Sequence, residues 1–107
     1  MIDVYGLKSC DTCRKASKVL PEARLKDVRA ESVPPDILER AFAQFGNALL
    51  NTRSATWRGL EAGARSGAPL ELIAEHPALM KRPLIHAGDA LFLGWSAETE
   101  ADVRAAL

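Results

Sequence analysis

The chain opens on Met1-Ile2-Asp3-Val4-Tyr5, apolar and β-branched, which predicts a short buried strand. Gly6 to Ser9 predicts a loop. From Asp11 onward Ala16, Val19 and Leu20 give an apolar side and Arg14, Lys15 and Lys18 a basic one. That spacing predicts an amphipathic helix, which Pro21 should end. Arg24-Leu25-Lys26-Asp27-Val28 alternates polar and apolar residues and predicts a second strand. If the two strands are parallel, they and the helix make a right-handed βαβ unit.

Pro34-Pro35 predicts the start of a longer helix, because proline suits the first helical turn. Ile37, Leu38, Ala41, Phe42 and Phe45 fall on one face of it, and Gly46 supplies the stop. Asn47 to Ala68 is rich in small residues and carries no clear period. Leu70 to His76 predicts a short helix stopped by Pro77. Pro83 to His86 predicts a strand, Ala87-Gly88-Asp89 a hairpin turn, and Ala90 to Leu93 the partner strand. Ser96 is placed to cap a last helix whose first turn carries Glu98 and Glu100. The order βαβ, helices, ββα predicts an α/β (α+β) domain: a small mixed four-stranded sheet, flanking helices, and a helical insertion over about 31–80.

Composition narrows the function. The 107 residues suit one domain, and 48% hydrophobic with 26% charged residues argues against disorder. Lys plus Arg and Asp plus Glu are both 14, so the formal net charge is zero. That balance argues against broad electrostatic binding to nucleic acid or to an anionic membrane. No apolar run approaches a membrane span, and no signal peptide is visible, which makes the cytosol the expected compartment. Thiols are kept reduced there.

The two cysteines therefore need a reason. Cys10-Asp11-Thr12-Cys13 is a C-x-x-C motif between a predicted strand and a predicted helix. Cys10 would sit at the helix N-terminus, where unpaired N–H groups and the helix dipole favour a thiolate. Lys8, Arg14 and Lys15 are sequence neighbours that would add positive potential. Cys13, one turn on, would be more buried and within disulfide reach. Cys10 is thus the candidate nucleophile and Cys13 the candidate resolving thiol. Two other readings stand beside this one: inert small hydrophobes, or half of a zinc site. Zinc wants four closely spaced ligands, and the remaining candidates, His76 and His86, lie far apart.

Arg53, Arg58 and Arg82 stand apart from the acid–base pattern of a solvated helix face. Guanidinium groups bind oxyanions and carboxylates through paired donors, so these three are candidate substrate-binding residues. The plain alternative is solubility and local ion pairs. Pro83 sits where a strand tolerates proline, and it is a candidate cis-proline. Trp57 and Trp95 are expected to pack, and His86 to be an ordinary strand residue.

The chain resembles the arsenate reductase (ArsC)/Spx family, and within it the YffB-like branch. The residues that carry the resemblance run nearly end to end. They are Val4-Tyr5-Gly6, Ser9-Cys10-Asp11-Thr12-Cys13-Arg14-Lys15-Ala16, Leu50-Asn51-Thr52-Arg53, Trp57-Arg58, Glu75-His76-Pro77, Lys81-Arg82-Pro83-Leu84-Ile85 and Gly94. The resemblance implies a thioredoxin-like fold with Cys10 as nucleophile. It implies Arg58 and Arg82 as oxyanion-binding residues, Arg53 as the arginine of the family's Asn-Thr-Arg step, and a cis Arg82-Pro83 bond facing the cysteine loop. It also implies no bound cofactor and a monomeric reductase with glutathione as co-substrate, glutaredoxin as partner, and a small oxyanion or disulfide as substrate. The alternative it implies is an Spx-like regulator that binds the RNA polymerase α subunit and is switched by a Cys10–Cys13 disulfide. Two departures stand out: Pro21 to Val33 is short, and Leu91-Phe92-Leu93-Gly94-Trp95 lacks the arginine that arsenate reductases carry near the last strand.

Overall fold

In chain order the elements are β1 (Ile2–Gly6), α1 (Asp11–Val19), β2 (Ala23–Asp27), α2 (Pro35–Phe45), α3 (Ala55–Arg58), α4 (Ala62–Arg65), α5 (Pro69–Glu75), β3 (Leu84–Ala87), β4 (Ala90–Leu93) and α6 (Ala97–Ala105). Short 3-10 turns occupy Gly46–Leu49 and Pro77–Leu79. The structure is a computed structural model that describes residues 2–20 and 22–106. Met1, expected in the first strand, and Pro21, expected to end the first helix, lie outside the described residues. Two units make up the chain. One joins its two ends, up to Glu31 and from Arg82 onward; the other is Ser32–Lys81.

The first unit is a mixed sheet in the order β2-β1-β3-β4. β1 and β2 run parallel, as a strand–helix–strand crossover requires, while β1–β3 and β3–β4 are antiparallel. Ile2 lies between Ala23 and Ala87, and Val4 between Leu25 and Ile85, with Phe92 beyond Ile85. Residues paired in this way share a sheet face. Against that face pack Ala16 and Leu20 of the α1 segment, Val103 of α6, and Trp95. The buried side of α1 is Cys13, Ala16 and Leu20, three and then four residues apart, as one helix face demands. Val19, expected on the apolar side, is instead 41% exposed, because it lies off that stripe. Arg104 of α6 ties the two helices by donating to the Val19 carbonyl at 3.1 Å, and it also donates to Glu100 Oε2 of its own helix at 3.1 Å.

The boundaries differ from expectation by a residue in places. Gly6 belongs to β1, because it pairs with Asp27 and accepts the Val28 N–H at 2.8 Å. β2 therefore runs Ala23–Asp27 rather than Arg24–Val28. Ala87 pairs with Ala90, which leaves Gly88-Asp89 as a two-residue turn. Ser96 caps α6 as expected, its Oγ accepting from the Thr99 N–H at 3.1 Å.

The second unit buries Ile37 and Ala41 of α2, Leu72 and Ile73 of α5, and Leu49, Leu79 and Met80. Gly46 ends α2 with φ +59°, a conformation that glycine adopts without a Cβ clash. The Asn51 N–H donates to Leu79 O at 2.7 Å and the Lys81 N–H to Leu49 O at 2.8 Å, beside an antiparallel Leu50–Met80 bridge. The stretch without a clear period holds α3 and α4, each only four residues long. Side-chain bonds to the backbone hold them. Ser54 caps α3 by accepting from the Trp57 N–H at 3.1 Å. Arg65 donates to Trp57 O at 3.2 Å and Arg58 O at 3.0 Å, and its guanidinium lies 5.7 Å from the Trp57 ring centroid.

Candidate active site

The C-x-x-C motif sits where β1 hands over to α1. Cys10 is the residue before the first helical turn, with φ −87° and ψ 116°. Its N–H donates to Leu7 O and its own carbonyl accepts from the Arg14 N–H, both at 3.0 Å. Extended backbone at this position aims the Cys10 side chain at the orphan N–H groups of the helix start. Cys13 lies one turn later and is fully buried, whereas Cys10 is half-buried. Both are free thiols.

The two sulfurs sit in opposite electrostatic settings. Partial burial works to raise the Cys10 pKa, but the Cys13 N–H, the Cys13 thiol and the Arg82 guanidinium all hydrogen-bond the sulfur and, with the Arg82 charge, hold it below the ordinary thiol value. Burial pushes the Cys13 thiol up to about 11, and the neighbouring Cys10 sulfur adds to the rise, against a bond from the Leu7 N–H and the Arg82 charge. One sulfur is thus disposed to be a thiolate and the other to stay a thiol that donates to it.

Arg82 belongs to the same unit as the cysteines, and the Arg82–Pro83 peptide is cis. Pro83 is buried, and its carbonyl accepts from the Gly94 N–H at 2.9 Å. The positive charge beside Cys10 is therefore Arg82, and not the sequence neighbour Arg14, whose guanidinium pairs with Asp11 on the exposed side of α1. Arg53 and Arg58 belong to the other unit. There the Arg53 N–H donates to Asn51 Oδ1 at 3.1 Å, and Arg58 Nη2 donates to Arg53 O at 2.7 Å. These local bonds fix the turn into α3. Among the described residues no three His, Cys, Asp or Glu side chains gather as a metal site would need.

Asp27 is a residue against the cysteine loop that the sequence did not reveal. Its Oδ2 accepts from the Lys8 N–H at 3.1 Å and its Oδ1 from the Arg29 N–H at 2.9 Å. Those two N–H bonds, with the nearby Arg29 and Lys8 charges, hold its carboxyl below the usual carboxylate value. The bond to Arg29 is a local turn legible from any Asp at a strand end. The bond to Lys8 spans 19 residues and needs the parallel β1–β2 pairing to exist.

Three relatives put this geometry in context. An uncharacterised protein of Haemophilus influenzae is 38% identical over 105 residues, which cover 90% of this chain and 92% of that one. The global transcriptional regulator Spx 2 of Bacillus anthracis is 29% identical over 108 residues, covering 92% of this chain and 82% of the relative. The solved structure of the YFFB (PA3664) protein superposes with a TM-score of 0.83 at 26% identity, over 96% of this chain and 98% of the other. The mixed four-stranded sheet with its helices is the thioredoxin-like fold of these proteins. The ArsC family model matches residues 5–103, from the end of β1 to α6 and across the whole cysteine loop, and the chain belongs to the ArsC family.

Proposed function

We propose that the protein is a monomeric cytosolic thiol oxidoreductase of the arsenate-reductase type, with the Cys10 thiolate as nucleophile. The observation that carries this reading is the contrast between the two thiols. A half-buried Cys10 is held below the ordinary thiol pKa beside Arg82, and a buried Cys13 is pushed up to about 11. A nucleophilic cysteine needs that kind of electropositive, partly open setting, and a structural cysteine does not.

In the proposed cycle the Cys10 thiolate attacks an oxyanion such as arsenate and a water leaves, forming a sulfur–arsenic(V) bond. Glutathione adds as the second thiol. Arsenic(V) gains two electrons, and the Cys10 and glutathione thiols become one mixed disulfide. A glutaredoxin thiolate attacks its glutathione sulfur, which frees the Cys10 thiolate and leaves a glutaredoxin–glutathione disulfide that a second glutathione reduces. Arg82 compensates charge at Cys10, and Arg53 and Arg58 serve the anion or a glutathione carboxylate through paired donors. Cys13 donates a hydrogen bond to the Cys10 thiolate and is placed by its spacing to resolve a Cys10 mixed disulfide. No bound cofactor and no nucleic acid enters this scheme. No described helix is long and apolar enough to cross a membrane.

The test is NADPH consumption with glutathione, glutathione reductase and glutaredoxin, with and without arsenate. Wild type is expected to turn over, and Cys10→Ser to lose about a thousandfold or more, as nucleophile removal does. If wild type is inactive with arsenate, glutathione mixed disulfides are the next substrates to try. If it reduces neither, the enzymatic reading fails.

A second reading has its own support. The match to Spx 2, a transcriptional regulator, covers 92% of this chain, and the C-x-x-C pair is present. On that reading the chain binds the RNA polymerase α subunit and a Cys10–Cys13 disulfide switches it. A pull-down against the α C-terminal domain, oxidised and reduced, decides it; no binding in either state ends it.

A further inference from the structure

We propose that Asp27 is a positioning residue that sets the reactivity of Cys10 through the loop between β1 and α1. The inference rests on the reading of Cys10 as the nucleophile. Four bonds carry it. Asp27 Oδ2 accepts from the Lys8 N–H at 3.1 Å, and Oδ1 from the Arg29 N–H at 2.9 Å. Leu7, one residue before Lys8, touches both sulfur-bearing residues through its backbone. Its carbonyl accepts the Cys10 N–H at 3.0 Å, and its N–H donates to the Cys13 sulfur.

Asp27 thus fixes the peptide that follows Leu7, and Leu7 fixes the two cysteines. Lys8 and Ser9 are exposed, so this turn has no hydrophobic anchor beyond Leu7. Asp27 itself is anchored twice over. It pairs with Gly6 at the end of the parallel ladder, and its carbonyl accepts from the Ala30 and Glu31 N–H groups at 3.0 and 2.9 Å. The carboxylate therefore projects from a rigid strand end onto a loop whose tip, Lys8 and Ser9, is exposed. Both of its oxygens are needed: an amide offers one acceptor oxygen, and its N–H₂ group would face a second N–H donor. The charges nearest Asp27 are those of Lys8 and Arg29, and neither belongs to the proposed site.

The test measures iodoacetamide alkylation of Cys10 against pH, with peptide mass mapping to separate Cys10 from Cys13. It compares wild type, Asp27→Ala, Asp27→Asn, and Val103→Ala as a control. Val103 is buried in α6, so its truncation lowers Tm without touching the loop. Asp27→Ala is expected to move the alkylation midpoint up and to slow the reaction at neutral pH severalfold, about tenfold at most, the size of one lost hydrogen bond. Asp27→Asn should fall between it and wild type. Val103→Ala should leave the profile in place despite its lower Tm. Profiles of both Asp27 variants that superpose on wild type would overturn the proposal. So would an equal shift in Val103→Ala, since loss of stability alone would then explain the effect. The wild-type midpoint by itself tests the proposed nucleophile, and the differences between variants test Asp27, so each fails on its own result.

Discussion

Arg82 and Arg58 are both proposed anion-site arginines, yet unlike means hold them. Arg82 follows the second unit and enters the sheet-bearing unit beside Cys10, more than seventy positions away in sequence. The strands β1 and β3 bring the two together. Arg58 is held by its own neighbourhood, through a bond to Arg53 five residues back and an Arg65 bond to its carbonyl. Unit one builds its site from long-range pairing on buried strands. Unit two builds its arginine turn from exposed, short-range bonds that are individually weak. Reactive groups need preorganisation by rigid elements, and the sheet provides it for the cysteines.

The largest expected effect tests how far burial in the sheet unit controls Cys13. Its folded pKa is raised from the ordinary 9.0 to about 11. Above pH 9 the unfolded thiol loses its proton while the folded one keeps it. The contribution is therefore fully present below about pH 9 and is lost as the pH rises towards 11. Two pKa units correspond to about 3 kcal/mol. Urea unfolding under reducing conditions at pH 8 and pH 11 should show wild type losing about 2 kcal/mol more stability than Cys13→Ala, since at pH 11 the folded thiol is still half protonated. Equal losses in the two proteins would mean that the thiol is not held neutral by burial.

Arginine removal separates the two units next. Arg82→Ala takes away a charge-assisted bond to the Cys10 sulfur, worth about 2 kcal/mol or some thirtyfold in alkylation rate at neutral pH. Arg65→Ala takes away two bonds to backbone carbonyls and the contact with Trp57. Its expected result is a stability loss of about 1 kcal/mol with the Cys10 alkylation profile unmoved. If Arg65→Ala slowed alkylation as much as Arg82→Ala, the contrast between long-range and local construction would collapse.

The same contrast explains what the sequence shows and what it hides. α1, α2 and the β3–β4 hairpin follow from hydrophobic period, prolines and turn residues, because each buries a stripe or a face, and α6 follows from its Ser96 cap and first-turn glutamates. α3 and α4 do not, because four-residue helices have no stripe; Ser54, Arg58 and Arg65 hold them through bonds that no period encodes. In the site, Cys10 and Cys13 are legible from spacing and from their place between strand and helix. Arg82 is a candidate from guanidinium chemistry and Pro83 from its place at a strand start, while their facing of the cysteine loop enters through the resemblance to a family. Asp27 is missed altogether, since its bond to Lys8 exists only once β1 and β2 lie side by side.

Two glycines give the finest form of the comparison. A Cβ on Gly6, built on the present backbone, would run into the Cys13 sulfur and lie 3.0 Å from the Cys13 Cβ. Neither atom is the far end of a flexible chain, and Gly6 is locked into β1 by its pairing with Asp27. Gly6→Ala should therefore cost about 1–2 kcal/mol by overpacking and push Cys13 away from Cys10. The alkylation midpoint of Cys10 should rise with the loss of the Cys13 hydrogen bonds. Gly63 in α4 is the opposite case: a Cβ there meets nothing within 4 Å. Gly63→Ala should stabilise the second unit by about 0.5–1 kcal/mol, through helix propensity and a less free unfolded chain. Cys10 should be unchanged. Thermal unfolding and alkylation of the two variants together give opposite signs in stability and a response at Cys10 in only one. A Gly63→Ala variant that lost stability would show α4 to be more tightly surrounded than its exposed residues indicate.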